Sequence, residues 1–467
     1  MEAYRFVASL EADHKGTFMS ALQPIRVVIL GGGFGGVYAS RRLGQLLGSD
    51  RRYEITLVSR DNYFLMCPLL FEAASGVIEL NHAVNPIRPL LKHTQFVNAL
   101  VDSIDFEHRT VMAHSVAGDR YTLAYDHLVL ALGAVTNRHR TPGSEFALGF
   151  KNVSDAVLVR NRVIQAFERA DAESDPERRK ANLTFVVIGG GLVGVELVGE
   201  LTEFSRRLLR NYPRIRPEEI RLVLLQHGAR ILPEMAEGLA SYAERQFQKR
   251  GVEIRTHVGA DRIEPERVWL STGESIAAST IVLAAGLEPN PVIARLPLAK
   301  DRAGRVRTDE CMRVVDHPGV WALGDCAAIP DEQGNAYPTL AQHAMREGKR
   351  LGENLAAVLA GKEPKPFRHK NLGTLAALGH HRGIANLMGL PVSGFFAWWI
   401  WRSYYLFQMP RWERRLRIMV DWTVGLFFRP EPTKIDLDPE PCPDSGHRME
   451  SAAAQPMLAA TAPAGDM

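Results

Sequence analysis

A chain of 467 residues, 46% of them hydrophobic, is too long for one ordinary core and carries enough apolar material for two or three domains. Its 56 Lys and Arg stand against 53 Asp and Glu, a formal charge of +3, which excludes a nucleic-acid binder that gains its affinity by neutralising phosphates. Cys67, Cys311, Cys326 and Cys442 form no C-x-x-C pair, so a redox disulfide and a zinc site both lack the spacing they need, and a reducing compartment fits best.

Residues 1–23 read as an N-terminal extension without the basic start and long apolar centre of a secretory signal. From Ile25 the run IRVVIL reads as a buried parallel strand. It leads into GGGFGG and the helical VYASRRLGQLLG, and the same order returns where LTFVVIG leads into GGGLVGVELVGELTEFSRRLL. A second strand follows each unit, YEITLVSR and IRLVLLQH, as a βαβ unit requires. Further apolar strands lie in YDHLVLALGA at 125–134, STIVLAAGLEPNP at 279–291 and GVWALGDCA at 319–327, the last before a helical TLAQHAMREGKRLGENLAAVLAG. Beyond Gly361 come a linker, KEPKPFRHKN, a hairpin around LGHHRGIANL and the aromatic stretch GFFAWWIWRSYYLF; a turn suits His380 and His381 better than a metal. The tail 431–467 has little to bury and reads as disordered.

The fold expected is therefore α/β with two Rossmann-like dinucleotide-binding domains. In the first glycine run the G-x-G-x-x-G positions are Gly31, Gly33 and Gly36; the first makes the tight turn, the second lets backbone approach a pyrophosphate, and the third lets helix and strand pack closely. Gly189, Gly191 and Gly194 form the second set. The acid that would hold a ribose at the end of the second strand is missing from both halves, where Ser59 and Gln226 stand instead. Losing that carboxylate also removes the charge that repels a 2′-phosphate, so Gln226, with Arg230 four residues on, can admit NADPH as well as NADH. The alternative, that another group holds the ribose, is equally open.

The order of GGGFGG, ITLVSRDNYFLMCPLLFEAASG, VVIGGGLVGVELVGEL, IVLAAGLEPNP, VWALGDCA and PTLAQHAMREG resembles the glutathione-reductase-like flavoproteins with two dinucleotide-binding domains. Within them it resembles the type II NADH dehydrogenases, single-subunit enzymes that pass electrons from NAD(P)H through FAD to quinone. The resemblance implies an FAD domain from 24–150 and 291–365, an NAD(P)H domain at 151–290, and a C-terminal hairpin with membrane-interface or dimer helices at 366–430. It implies that the first glycine motif, with Phe34, Gly35 and Ser59, holds FAD, and that Asp325 after Gly324 bonds the ribityl region. The second motif, with Gln226, holds NADH or NADPH, and Glu196 lies where the nicotinamide stacks on the flavin. Gly133 and Gly286 pack backbone against a cofactor. Ala341 and Gln342 open the quinone-side signature, in which Gln342 holds a quinone carbonyl and Arg346 replaces a glutamine. His343 and Glu347 are further proton-relay candidates, Glu200 and Glu203 read as ordinary surface carboxylates, and Cys67 reads as an inert buried thiol.

A membrane quinone explains the aromatic stretch. Residues 394–430 hold five of the seven tryptophans, with Arg402, Arg411, Arg414, Arg415, Arg417 and Arg429 against Glu413 and Asp421. Tryptophan favours the headgroup boundary and arginine pairs with anionic lipid. Pro410 divides the region into two helices too short to span, so they are expected to lie flat on the cytoplasmic face of the cell membrane as a peripheral anchor. Packing on the flavoprotein body or across a homodimer is the competing reading. A soluble reductase of a ferredoxin-like protein and a redox-sensing flavoprotein with little turnover are the competing functions.

Overall fold

The protein is seen in a computed structural model that describes residues 23–370, 373–428, 430 and 433–434. The expectations for residues 1–22, for Arg429, for Cys442 and for the tail beyond 434 fall outside the described residues.

In chain order the first half contributes β1 (Ile25–Leu30), α1 (Phe34–Leu47), β2 (Tyr53–Ser59), β3 (Gln95–Asn98) and β4 (His127–Leu130). Helix α2 (Val153–Ala172) leads to the second half, β5 (Thr184–Ile188), α3 (Leu192–Leu208), β6 (Arg221–Gln226), β7 (Val252–Thr256) and β8 (Thr280–Leu283). The chain then returns with β9 (Val320–Ala322) and α4 (Ala341–Leu359). It continues through β10 (Gly373–Ala377), β11 (Gly383–Leu387), β12 (Leu390–Gly394), α5 (Phe395–Gln408) and α6 (Trp412–Phe427).

Two parallel sheets result, with spatial orders β9-β4-β1-β2-β3 and β7-β6-β5-β8. Their central strands bury Val27, Ile29 and Leu30 in β1 and Phe185, Val186 and Val187 in β5, on both faces, as uninterrupted β-branched runs demand. Because β9 returns to the first sheet, one core joins residues from Val27 to Leu130 with residues from Val292 to Leu355, and a second gathers around β5, β6 and α3. A short antiparallel pairing of Ala134–Thr136 with Leu287–Pro289 ties the loops of the two halves together.

The expected hairpin is β10–β11, with His380 and His381 in its turn, and β12 completes a three-stranded antiparallel sheet. This sheet lies against α3, where Gly199 meets the backbone of Leu378, and α5 packs across it. Pro410 falls between α5 and α6, where its missing N–H breaks no helical bond. Among the described residues no helix is long and apolar enough to cross a membrane.

Candidate functional site

The glycine turns are shaped by close backbone contacts. Gly31 has φ +114°, and a Cβ there would lie 2.1 Å from the Ala131 carbonyl oxygen; one on Gly36 would lie 1.9 Å from that of Gly31. Neither position admits a side chain. Gly33 by contrast has no neighbour within 4 Å of such an atom, so the turn before α1 is open to a ligand at the helix N-terminus. Gly35 packs against Leu323, and Ser59 closes β2 against Gly32.

The second turn repeats this geometry: Gly189 has φ +113° and Gly194 packs on its carbonyl. Here side chains already engage the amides. Gln226 Oε1 accepts from Gly190 N–H at 2.9 Å, and Glu234 Oε1 accepts from Leu192 N–H at 2.9 Å beside Gly191. Arg230 does not stand ready for a 2′-phosphate as expected. Its guanidinium donates to the carbonyls of Leu232, Pro233 and Met235 at 3.4, 3.0 and 3.0 Å, because the loop after β6 folds back around it.

Two neighbouring cavities lie beside the start of α3. One, of about 380 Å³, is lined by Gly191, Glu234, Gly286, Glu288, Arg305 and Asp325. The other, of about 180 Å³, shares Gly286 with it and is lined also by Cys67, Phe71, Thr136, Lys151 and Glu196. Gly133 and Gly324, with φ +69° and +72°, turn the loops nearby. Lys151 Nζ sits 3.1 Å from Asp325 Oδ2. Burial works against its ammonium, but Asp325 outweighs that and its pKa is raised, so it stays charged. The sequence reading missed Lys151, which lies in a loop with no motif around it and meets Asp325 only through the fold. Burial pushes the half-buried Cys67 thiol up and the Cys326 thiol up to about 12, so both remain protonated.

Glu196 is held by partners outside its own domain. Ala377 N–H of β10 and Trp401 Nε1–H of α5 both donate to Oε1, at 3.0 and 2.9 Å. Burial pushes its pKa up to about 8 against these two bonds, so it is a carboxylic acid at neutral pH. Glu200 and Glu203, expected on the surface, are not there, because β10, its turn and α5 cover this side of α3. Glu200 is 12% exposed beside Arg207, and Glu203 pairs with Arg250 and Arg382.

On the opposite side a cavity of about 270 Å³ is lined by Phe34, Ala341, Gln342, Arg346, Tyr404 and Tyr405 among others. Gln342 Nε2 donates to Gly373 O at 3.3 Å, and Arg346 turns back to the Gln342 carbonyl at 2.8 Å. His343 and Glu347 do not line this cavity. His343 is buried beside His369, and burial lowers its pKa to about 4; Glu347 accepts from Gly324 N–H at 2.8 Å, and burial raises its pKa to about 7.

The aromatic stretch divides into two faces. Inward, Arg402 lies between Trp398 and Trp422, 4.3 and 4.5 Å from their ring centres, and donates twice to Glu72 Oε1 at 2.9 and 2.8 Å. Trp422 Nε1–H donates to the other Glu72 oxygen at 2.8 Å. Arg414 bonds Asn81 O, Arg415 bonds Met409 O, Arg411 pairs with Glu413, and Asp421 pairs with His82. Arg402 and Arg414 thus tie the helices to the body, while Arg411 and Arg415 close on groups within the segment itself. Outward stand Phe396, Phe407 and Phe427, 71%, 69% and 78% exposed.

Two glycine turns at the starts of parallel-sheet helices, with adjoining cavities lined by Asp325, Lys151 and Glu196 beside the second, define an oxidoreductase with two dinucleotide-binding domains. A family profile described as pyridine nucleotide-disulphide oxidoreductase matches residues 25–348, and one described as NDH2 C-terminal domain matches 371–429. The type II NADH:quinone oxidoreductase Ndh of Mycobacterium tuberculosis is 32% identical over 420 residues, 85% of this chain and 87% of that relative. The demethylphylloquinone reductase NdbB of Synechocystis is 30% identical over 418 residues, 87% of this chain and 98% of that relative. The fold matches that of NDH2 from Plasmodium falciparum in complex with NADH with a TM-score of 0.82, at 20% identity, over 88% of this chain and 100% of that one. The chain belongs to the pyridine nucleotide-disulphide oxidoreductase family, on its type II NADH dehydrogenase branch.

Proposed function

We propose that the protein is an FAD-dependent NAD(P)H:quinone oxidoreductase that takes a hydride from NADH, passes two electrons to a membrane quinone and pumps no protons. The observation that carries this reading is Glu196, a carboxylic acid on the wall of a cavity that it shares with Lys151 and Gly286, next to the cavity of Asp325 and Gly191.

The first turn fits FAD. Gly33 leaves open the space a pyrophosphate needs, and Asp325 is an acceptor suited to ribityl hydroxyls, with Lys151 fixing its charge. Gly31, Phe34, Gly35, Gly36, Ser59, Gly133 and Gly324 complete this set, which residues 24–150 and 291–365 supply. Residues 151–290 hold the nucleotide at Gly189, Gly191, Gly194, Gln226 and Gly286. With Arg230 committed to carbonyls, the cation expected to favour a 2′-phosphate is engaged elsewhere, and NADH is the preferred donor. FAD, when bound, accepts the hydride and releases the electrons.

The chain orients the reactants and handles protons. Both donors to Glu196 converge on Oε1, so its proton sits on Oε2. Gln342 presents its amide to a quinone carbonyl in the cavity it shares with Tyr404 and Tyr405. The outward apolar faces of α5 and α6, within 394–430, rest on the cytoplasmic face of the cell membrane as a peripheral anchor.

The reading is tested by anaerobic mixing of the purified flavoprotein with NADH or NADPH, followed by a short-chain quinone. Flavin bleaching that is faster with NADH, and immediate reoxidation by the quinone, are expected. Reduced flavin that persists with quinone but yields to a ferredoxin-like protein overturns the acceptor assignment.

A further inference from the structure

Besides the cavity that it shares with Lys151 and Gly286, Glu196 lines a second and much smaller space of about 10 Å³, room for about one water molecule. Its charged and titratable lining is Glu72, Glu196, Glu200, Arg207, His380 and Arg402, brought from the helix Leu70–Ala74, from α3, from the β10–β11 turn and from α5. Glu196 lines both spaces, so its carboxyl forms part of the wall between them.

The groups in this chamber are not equivalent. Glu72 and Arg402 close their charges on each other, and Trp422 occupies the remaining Glu72 oxygen. Glu200 is different: its Oε1 is buried, lies 3.5 Å from Arg207 Nη2 and accepts no hydrogen bond, while that Arg207 nitrogen donates to Ser75 O. Arg207 Nε is likewise buried without a partner. Two orphaned polar atoms beside a water-sized space, whose walls combine these charged groups with Phe71, Val77 and Trp398, call for a bridging water. Glu200 stands four residues after Glu196 on α3, one turn along the same face. His380, in the turn, is exposed on its outer side and so joins the chamber to solvent.

We propose that this chamber is the proton port of the enzyme, and that Glu200 and His380 reload Glu196 from solvent through one enclosed water. The proposal rests on the oxidoreductase reading above. When Glu196 has given its Oε2 proton to the reaction, the enclosed water passes it a proton and takes one from the Glu200 carboxyl. The imidazole of His380 takes a proton from solvent at its outer nitrogen as it releases the one on its inner nitrogen to Glu200. One proton enters and one leaves at each station, and no electrons move. Burial favours the neutral form of every station: it raises the proton affinity of Glu200 and lowers the pKa of His380 to about 4, so neither holds a stranded charge between transfers.

The test is the rate at which the protonated Glu196 carboxyl exchanges with heavy water, followed by its infrared C=O band in the full chain with and without flavin, the band being assigned by its loss in Glu196→Gln. Glu200→Gln is expected to slow this exchange and to slow quinone reduction by about tenfold or more, leaving flavin bleaching by NADH unchanged. Glu200→Asp is expected to restore part of both rates, and Glu203→Gln, outside the chamber, to change neither. Wild-type exchange in Glu200→Gln overturns the port. The exchange is read without quinone, so a wild-type protein that fails to reduce quinone overturns the acceptor assignment while leaving the port to stand or fall on its own.

Discussion

Glu196 is acidic in the chemical sense only because it is buried, and that burial has a thermodynamic signature. Its pKa rises from the ordinary 4.5 to about 8, so between those values the folded chain holds a proton that the unfolded chain has released. The unfolded state then binds fewer protons, and stability falls as pH rises through this window, levelling above it. Glu196→Gln has no proton to lose. Urea midpoints measured from about pH 5 to about pH 8 should therefore fall for the wild type relative to the variant; parallel curves refute the buried acid. Glu234 offers a second residue-level test. Its carboxylate holds the Leu192 amide at the start of α3, where a nucleotide pyrophosphate needs the same donor. Removing its charge in Glu234→Gln should improve NADH binding by about 0.3–1 kcal/mol. The KM for NADH should drop by about two- to fivefold with kcat little changed; an increase in KM would mean that Glu234 helps to hold the nucleotide.

At the scale of elements, α5 and α6 do two jobs on opposite faces. The inward face is fastened by Arg402, whose removal strands Glu72 in the interior. Arg402→Ala should cost about 3–5 kcal/mol, read as a lower urea midpoint, and Glu72→Gln combined with Arg402→Met should recover most of it because no lone charge remains. The outward face is apolar and is the proposed lipid contact. Replacing Phe396, Phe407 and Phe427 together with Ser should abolish flotation with liposomes while leaving reduction of a short-chain quinone intact. Undiminished flotation would shift the contact to another surface, and loss of a dimer in its place would assign this face to a second copy of the chain.

At the scale of the whole molecule, the duplicated strand, glycine turn and helix were legible because each is local: β-branched runs, glycines where a Cβ has no room, and a 3.6-residue period all act within a few turns of the chain. The first sheet closing on β9 was foreshadowed only by a third apolar run, and its neighbours come from the pairing itself. Motifs in the sequence singled out Asp325, Glu196 and Gln342, and the fold sets each of them on a cavity wall. Lys151, Glu72 and Trp401 were not singled out, since each matters through a partner far along the chain, and nothing beside them in sequence announces that partner. Arg230 and Glu200 misled for the same reason: spacing places a side chain on a face but does not say what will cover that face or which carbonyls will claim it.

The strand pair formed by Ala134–Thr136 and Leu287–Pro289 stitches the two halves together next to the cavities themselves. Because both crossings between the halves are paired with each other, they move as one ribbon: the halves can tilt about it together but cannot slide past one another without breaking its bonds.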